Sequence, residues 1–358
     1  MSELYVGVMS GTSLDGIDVA LCEIDSQNCK VIKSLEYPFK HDLKAEILNT
    51  IETQISLKQL GELNIKLGVL FSKAINKLLI GVDKNSINAI GLHGQTLWHE
   101  PDSEFPFSMQ LGDPSIVVAK SGIKVVADFR SMDIANGGQG APFAPAFHQF
   151  LFADLKEKTA VLNIGGMANL TLLGKEVRGW DTGCGNVLLD MWMTQTQNKA
   201  YDKDGLFAQS GIVNMELLNS MLDDPYFKKL PPKSTGREYF NTSWFASHLP
   251  VFQTLNNEDI QRTLLELTAR SIAKDVKTNS IELLIVCGGG AKNGFLMQRL
   301  QELTKIEVTS SDTLGVDGDS LEAMAFAWLA YKRIHNEEVD LKSVTGATKN
   351  SLLGGIYG

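Results

Sequence analysis

The feature that most limits how this chain can fold is a pair of β-rich runs, residues 5–9 and 17–24, flanking Ser10-Gly-Thr-Ser-Leu-Asp-Gly16. Two such runs joined by a glycine-bounded polar turn predict a strand, a tight turn and a second strand. The theme returns at residues 159–173. There Ala-Val-Leu-Asn-Ile reads as a strand, Gly165-Gly-Met-Ala as a turn and Asn-Leu-Thr-Leu-Leu as a second strand. Helical and strand patterns alternate after each unit. Leu60, Leu63, Leu67, Phe71, Ile75 and Leu78 recur every three or four residues, which gives a helix one apolar face. Residues 87–93 and 124–129 read as strands, with a short helix at 114–120 between them. Further on, 187–195, 259–277, 293–303 and 320–334 read as helices, and 283–287 and 306–309 as strands.

A chain of 358 residues exceeds one ordinary core, so two domains are expected. The sharpest composition break is Asn136-Gly-Gly-Gln-Gly-Ala-Pro142, which predicts a hinge in or just before it. The expected division is an N-terminal lobe at 1–131 and a C-terminal lobe at 132–339, with 340–358 packing back on the first. Alternation of this kind predicts an α/β fold: two similar lobes with mixed sheets flanked by helices, and a cleft where they meet.

The formal charge of −9 opposes broad nucleic-acid or anionic-membrane binding, because both need a basic face. Cys22, Cys29, Cys184 and Cys287 form no CxxC pair, and few dispersed cysteines in a large chain read as reduced and cytoplasmic. No signal peptide and no membrane-length apolar run is apparent. The sequence leaves the oligomeric state open, a homodimer included.

Gly11 and Gly16 let backbone N–H groups approach an anion, and Ser10, Thr12 and Ser13 add hydroxyls beside Asp15. A decorated hairpin turn is the plainer alternative. Asn163, Gly165 and Gly166 form a second such turn, and Gly288, Gly289 and Gly290 follow a predicted strand. Three glycine turns after three strands favour nucleotide binding, yet neither GxxxxGK[ST] nor GxGxxG occurs.

Asp181-Thr-Gly-Cys-Gly-Asn186 reads as a tight loop whose aspartate is either a helix cap or a general base. Asp128 and Arg130, two apart at a strand end, share a face, as an ion pair or as an anion clamp. Glu322 is either the exposed side of an apolar helix or a second carboxylate. His93, ending a strand, is placed to line the cleft. His99, six residues on, fits no zinc spacing and reads as structural.

Taken in order, Gly7-Val-Met-Ser-Gly-Thr-Ser-Leu-Asp-Gly16, Gly94-Gln-Thr96, Ala127-Asp-Phe-Arg130, Asn163-Ile-Gly-Gly166, Gly179-Trp-Asp-Thr-Gly183 and Gly288-Gly-Gly290 resemble the anhydro-N-acetylmuramic acid kinase family. Asp319-Ser-Leu-Glu-Ala323, Val344-Thr-Gly-Ala347 and Leu353-Gly-Gly-Ile356 extend the resemblance almost to the C-terminus. It implies the actin, sugar-kinase and heat-shock ATPase superfamily, with two ribonuclease-H-like lobes. It also implies hydrolysis of the 1,6-anhydro bridge of anhydro-N-acetylmuramic acid and transfer of the ATP γ-phosphate to O6, in peptidoglycan recycling. ATP and Mg²⁺ are the implied cofactors, with the metal ligands undetermined.

On that resemblance Asp181 activates water and Glu322 contacts sugar or water. Arg130 binds the lactyl carboxylate, with His93 and Asp128 at the sugar. Cys184 stands where the family pattern leads one to expect proline, which predicts a less rigid loop and, if the thiol is exposed, sensitivity to oxidation. The competing readings are a kinase of an unbridged amino sugar and a partner-binding ATPase of the actin or heat-shock type.

Overall fold

The structure is a computed structural model that describes residues 2–11, 14, 16–155, 158–231, 233–248 and 254–358. Thr12, Ser13 and Asp15 of the first turn lie outside the described residues. The chain divides into two compact units, Met1–Ala153 with Ser320–Gly358, and Asp154–Asp319.

In the first unit, β1 (Glu3–Ser10), β2 (Gly16–Ile24) and β3 (Cys29–Pro38) form an antiparallel meander. β4 (Ile87–Glu100) runs parallel to β1, and β6 (Val125–Ala127) runs parallel to β4. β5 (Phe107–Leu111) pairs with the outer end of β4, and β12 (Gly355–Tyr357) closes the edge on β6. A parallel step from β3 to β4 needs a crossover, and the helix Leu57–Leu78 supplies it. Its predicted apolar face is buried at Leu63, Leu67, Phe71, Ile75 and Leu78, and Ser56 with Gln59 forms a capping box at its start.

The second unit repeats this plan. β7 (Thr159–Ile164), β8 (Met167–Leu172) and β9 (Arg178–Cys184) are an antiparallel meander, and β10 (Leu283–Cys287) and β11 (Glu307–Ser310) add in parallel beside β7. Its long helix, Asn257–Thr278, buries Leu264, Leu265, Leu267 and Ile272 in a core shared with β7, β8 and β10. Leaving out β5 and β12, both sheets read 3-2-1-4-5 in order, the ribonuclease-H-like arrangement that the resemblance implies.

The observed borders are 153/154 and 319/320, against 131/132 and 339/340 expected from composition. Two features explain the shift. The helix Leu321–Ile334 packs directly on β1, β2 and β4, so it belongs to the first unit. It can do so because Gly7 and Gly91 are register partners: a Cβ on Gly7 would lie 1.7 Å from the Ala323 carbonyl oxygen, and one on Gly91 1.9 Å from that of Phe326. The glycine-rich stretch after Asn136 is no hinge either. Buried Asp133 accepts from Gly140 N–H at 2.7 Å and from the Thr345 hydroxyl at 2.8 Å, and Gln139 N–H donates to the Thr345 carbonyl at 2.9 Å.

Three element ends also differ from expectation. β4 continues to Glu100, so His93 sits within the strand and does not end it. β6 stops at Ala127 because Asp128 adopts a left-handed φ of 60° and turns the chain into the helix Ser131–Ala135. β9 runs through Asp181 to Cys184, so the expected loop narrows to Gly185 and Asn186.

Candidate functional site

In the first unit three of the predicted residues come together. Arg130 donates through Nη2 to His93 Nε2 at 2.8 Å and through Nη1 to the Gly140 carbonyl at 2.6 Å. A guanidinium only donates, so His93 accepts on Nε2 and is a neutral imidazole carrying its proton on Nδ1. Burial, then the Arg130 charge, push the His93 pKa down to about 3, which agrees. The His93 ring packs 4.7 Å from Phe326, one helical turn beyond Glu322, and the Arg130 guanidinium lies 5.0 Å from the Phe143 ring.

Glu322 is open to solvent as a residue, yet burial of its carboxyl raises its pKa, while the Arg130 charge lowers it. Together these describe a carboxylate that water reaches but protein surrounds, rather than one on a convex surface. Asp128 stands apart. It is exposed, makes no ion pair with Arg130 among the described residues, and instead accepts from Ser131 Oγ at 2.6 Å.

The end of the first hairpin is fixed from β4. Ser10 Oγ donates to Gln95 Oε1 at 2.5 Å, both residues buried, and Gln95 Nε2 reaches the Gly11 carbonyl at 3.3 Å. Gln95 was visible only as part of Gly94-Gln-Thr96, with no role attached. Nothing local indicates that it braces a turn 84 positions away.

In the second unit Asp181 is placed by a bulge. Asn169 pairs with Asp181 and Ala168 with Gly183, which leaves Thr182 as the extra residue on β9. Gly183 carries the left-handed strain at φ 152°, and a side chain there would strike the Phe227 ring at 2.6 Å. Segment 233–235 then clamps the aspartate: Asp181 N–H donates to the Lys233 carbonyl at 3.0 Å, and Thr235 N–H donates to Oδ2 at 2.9 Å. The Tyr226 hydroxyl binds the Asp181 carbonyl at 2.8 Å. Burial raises the Asp181 pKa to about 6 against the opposing pull of the Thr235 N–H, with Glu238 also raising it and Lys233 lowering it. Such a carboxylate is ionised at neutral pH and more basic than a free aspartate, which suits a general base.

The glycine turns of this unit converge. Asn186 N–H donates to the Gly165 carbonyl and Gly185 N–H to that of Gly166, both at 2.8 Å, and Asn186 Nδ2 reaches the Ile164 carbonyl at 3.2 Å. Gly288, at φ 76°, leaves space for Asn163 Oδ1, which would lie 2.3 Å from a Cβ. The triplet opens a short 3₁₀ turn, Gly289–Lys292, and not the following helix. That helix, Gly294–Thr304, is capped by Asn293 Oδ1 on Leu296 N–H at 3.0 Å. The Arg237 guanidinium approaches Gly166, 3.5 Å from where its Cβ would be, a cation beside the turn that sequence reading did not pick out.

Cys184 is buried and its thiol is pushed up to about 12, so the oxidation-prone state expected for an exposed thiol does not arise. The loop is held without proline: Thr268 Oγ1, from the long helix, bonds the carbonyls of Cys184 and Gly185 at 3.2 and 3.0 Å.

Two ribonuclease-H-like units, each opening with a strand–turn–strand hairpin, are the architecture of actin-like ATPases and sugar kinases. The profile of the anhydro-N-acetylmuramic acid kinase family matches residues 3–358. Two proteins of that name, from Sulfurovum sp. (strain NBC37-1) and Sulfurimonas denitrificans, are 56% and 54% identical to the chain. The first match covers 99% of both sequences and the second 100% of both. Among solved structures, similarity extends to an activator of 2-hydroxyisocaproyl-CoA dehydratase from Clostridium difficile with bound ADPNP. It has a TM-score of 0.48 and 12% identity, over 94% of this chain and 96% of that one. A ROK family glucokinase from Streptomyces griseus, in complex with glucose and AMPPNP, gives 0.42 and 11%, over 92% and 99%. The chain belongs to the anhydro-N-acetylmuramic acid kinase family.

Proposed function

We propose that the chain opens the 1,6-anhydro bridge of anhydro-N-acetylmuramic acid with water and transfers the γ-phosphate of ATP to O6. The products are N-acetylmuramic acid 6-phosphate and ADP, formed in the cytoplasm, where ATP is the donor. The observation that carries this reading is Asp181, a clamped carboxylate on a bulged strand with its pKa raised to about 6. Its Oδ2 takes the Thr235 N–H, and Oδ1 is left to take a proton from water as the oxygen attacks C1. The C1–O6 bond breaks, and O6 forms the new bond to the γ-phosphorus as ADP leaves.

Arg130 and Glu322 bind the sugar in this reading, with His93 holding the guanidinium. Arg130 Nε is buried without an acceptor among the described residues, a cost that a carboxylate oxygen on the sugar would remove. Asp128, engaged with Ser131, is a weaker candidate for sugar contact. Ser10, Gly11, Thr12, Ser13, Asp15 and Gly16, together with Asn163, Gly165, Gly166 and Gly288–Gly290, bind the nucleotide. Phosphoryl transfer is largely positioning and charge neutralisation, for which such turns suffice. Among the described residues no group of three His, Cys, Asp or Glu side chains offers a metal cage. A Mg²⁺ ion arriving with ATP needs no such cage, since one or two carboxylates with phosphate oxygens and water commonly hold it.

The test is a count of ADP released per sugar opened, on anhydro and open amino sugars in parallel. One ADP per anhydro ring, with phosphate at O6, is expected. Ring opening without ATP, or equal use of the open sugars, would refute the reading.

A further inference from the structure

Next to Thr182 the second unit contains a recess of about 280 Å³ whose lining includes Phe227, Lys233, Arg270, Lys274 and Asp275. Three cations and one carboxylate face this space, in a chain whose net charge is −9. The carboxylate is already engaged: Asp275 Oδ2 accepts from Trp180 Nε1 at 2.7 Å. Neither Lys233 nor Lys274 makes an ion pair among the described residues. Lys274 Nζ donates to the Phe227 carbonyl at 2.7 Å, and Lys233 lies over the Tyr226 ring at 4.9 Å. Arg270 commits Nε to the buried Glu266 at 2.8 Å, which leaves the rest of its fork of donors. The Lys233 pKa is lowered, chiefly by burial; Asp275 and Asp181 pull it up, and Lys274 and Lys229 push it down.

We propose that this recess is a binding site for a phosphomonoester, an anion site whose lining includes none of the glycine turns of its own unit, coupled to Asp181. With Arg270 partly offset by Glu266 and one lysine by Asp275, the space stays net positive, which favours a phosphate group, and the volume admits one carrying a sugar-sized body. Lysine supplies point charges and arginine a fork, the usual partners of phosphate oxygens. Coupling follows from the backbone. Lys233 points its side chain into the recess while its carbonyl holds Asp181 N–H, and two residues on Thr235 N–H holds the Asp181 carboxylate. Thr182, also lining the recess, is the bulge residue next to Asp181. An anion that draws Lys233 inward and neutralises it removes a charge that favours ionised Asp181, so the occupied site raises the aspartate's pKa.

Binding does not depend on the proposed reaction; only the kinetic readout rests on Asp181 as its base. Glucose 6-phosphate, orthophosphate and glucose are titrated calorimetrically into wild type, Lys274→Gln, Arg270→Gln and Asp181→Asn proteins with the nucleotide site saturated by ADP. Lys274→Gln keeps a donor for the Phe227 carbonyl while removing the charge. Glucose 6-phosphate is expected to bind to wild type, more tightly still to Asp181→Asn because the coupling is reciprocal, about tenfold more weakly to Lys274→Gln and Arg270→Gln, and glucose not at all. Orthophosphate binding as tightly as the ester would assign the site to the free ion, against the proposal. Wild-type affinity in both charge variants, or no binding to wild type, would overturn it. In turnover assays the ester is expected to move the acid limb of kcat/KM upward in wild type and not in Lys274→Gln. An equal shift in both would place its action elsewhere.

Discussion

Arg130 holds His93 by a guanidinium-to-imidazole hydrogen bond of 2.8 Å, an arrangement in which the histidine serves as an acceptor and never as the acid. The pair fixes the plane of the guanidinium together with the Gly140 carbonyl and the Phe143 ring. A lysine at this position keeps the charge but cannot make both bonds in a plane. Arg130→Lys is therefore expected to raise KM for the sugar about 10- to 100-fold with a smaller change in kcat. Steady-state kinetics check this, and an unchanged KM would remove Arg130 from the sugar site.

The pH dependence separates His93 from Asp181. His93, with its pKa near 3, stays neutral throughout the working range, whereas Asp181 titrates near 6. The expected profile of kcat/KM falls about tenfold per pH unit below about 6, and the midpoint stays in place in His93→Gln. Stability runs the other way. Between 3.8 and about 6 the folded state binds more protons than the unfolded one, so ionising Asp181 costs stability as pH rises through that window. Asp181→Asn keeps an acceptor for the Thr235 N–H without the charge. It is expected to be inactive in ring opening yet more stable at neutral pH by about 1–3 kcal/mol, read by denaturant unfolding.

Much of the fold was legible because it repeats: a β-rich run, a glycine turn and a second run announce each meander, and the apolar face of Leu57–Leu78 follows from its spacing. The unit borders were not legible, because composition marks where glycine is dense and not what it contacts. Gly138 and Gly140 pack against Asp133 and Ile134, within their own unit. The candidate site was readable only where a residue's own chemistry marks it. Asp181, Arg130, His93 and Glu322 carry chemistry in their own side chains. Gln95, Phe326, Thr235 and Arg237 act only through partners that β-register or helix packing brings near, across separations that leave no local pattern.

The glycine pair under the helix Leu321–Ile334 gives a sharp stability test. At Gly7 the obstacle to a methyl group is the Ala323 carbonyl, a backbone atom on a buried helix with no rotamer to change. Gly7→Ala is expected to cost at least about 3 kcal/mol, or to prevent folding. Gly61, within the helix Leu57–Leu78, has nothing within 4 Å of its would-be Cβ. Gly61→Ala is expected to stabilise by about 0.5–1 kcal/mol. Thermal melts of the two variants side by side check the contrast, and equal effects would mean the helix does not sit on the β1–β4 glycines.

Asp133 links stability to function. Its two oxygens hold Gly140 N–H and the Thr345 hydroxyl, so they tie residues 138–140 and the C-terminal segment to the helix Ser131–Ala135. The carbonyl of that same Gly140 receives Arg130 Nη1. Asp133→Asn loses the charge that strengthens both bonds; with its amide nitrogen toward Thr345, whose hydroxyl can accept while donating to the Leu341 carbonyl, the cost is about 1 kcal/mol. Because the loop carries the guanidinium's acceptor, the variant is expected to lose sugar affinity several-fold while its KM for ATP stays unchanged. A variant that loses stability but keeps its KM for both substrates would confine Asp133 to the fold. A matched rise in both KM values would show that the damage spreads beyond the Arg130 site.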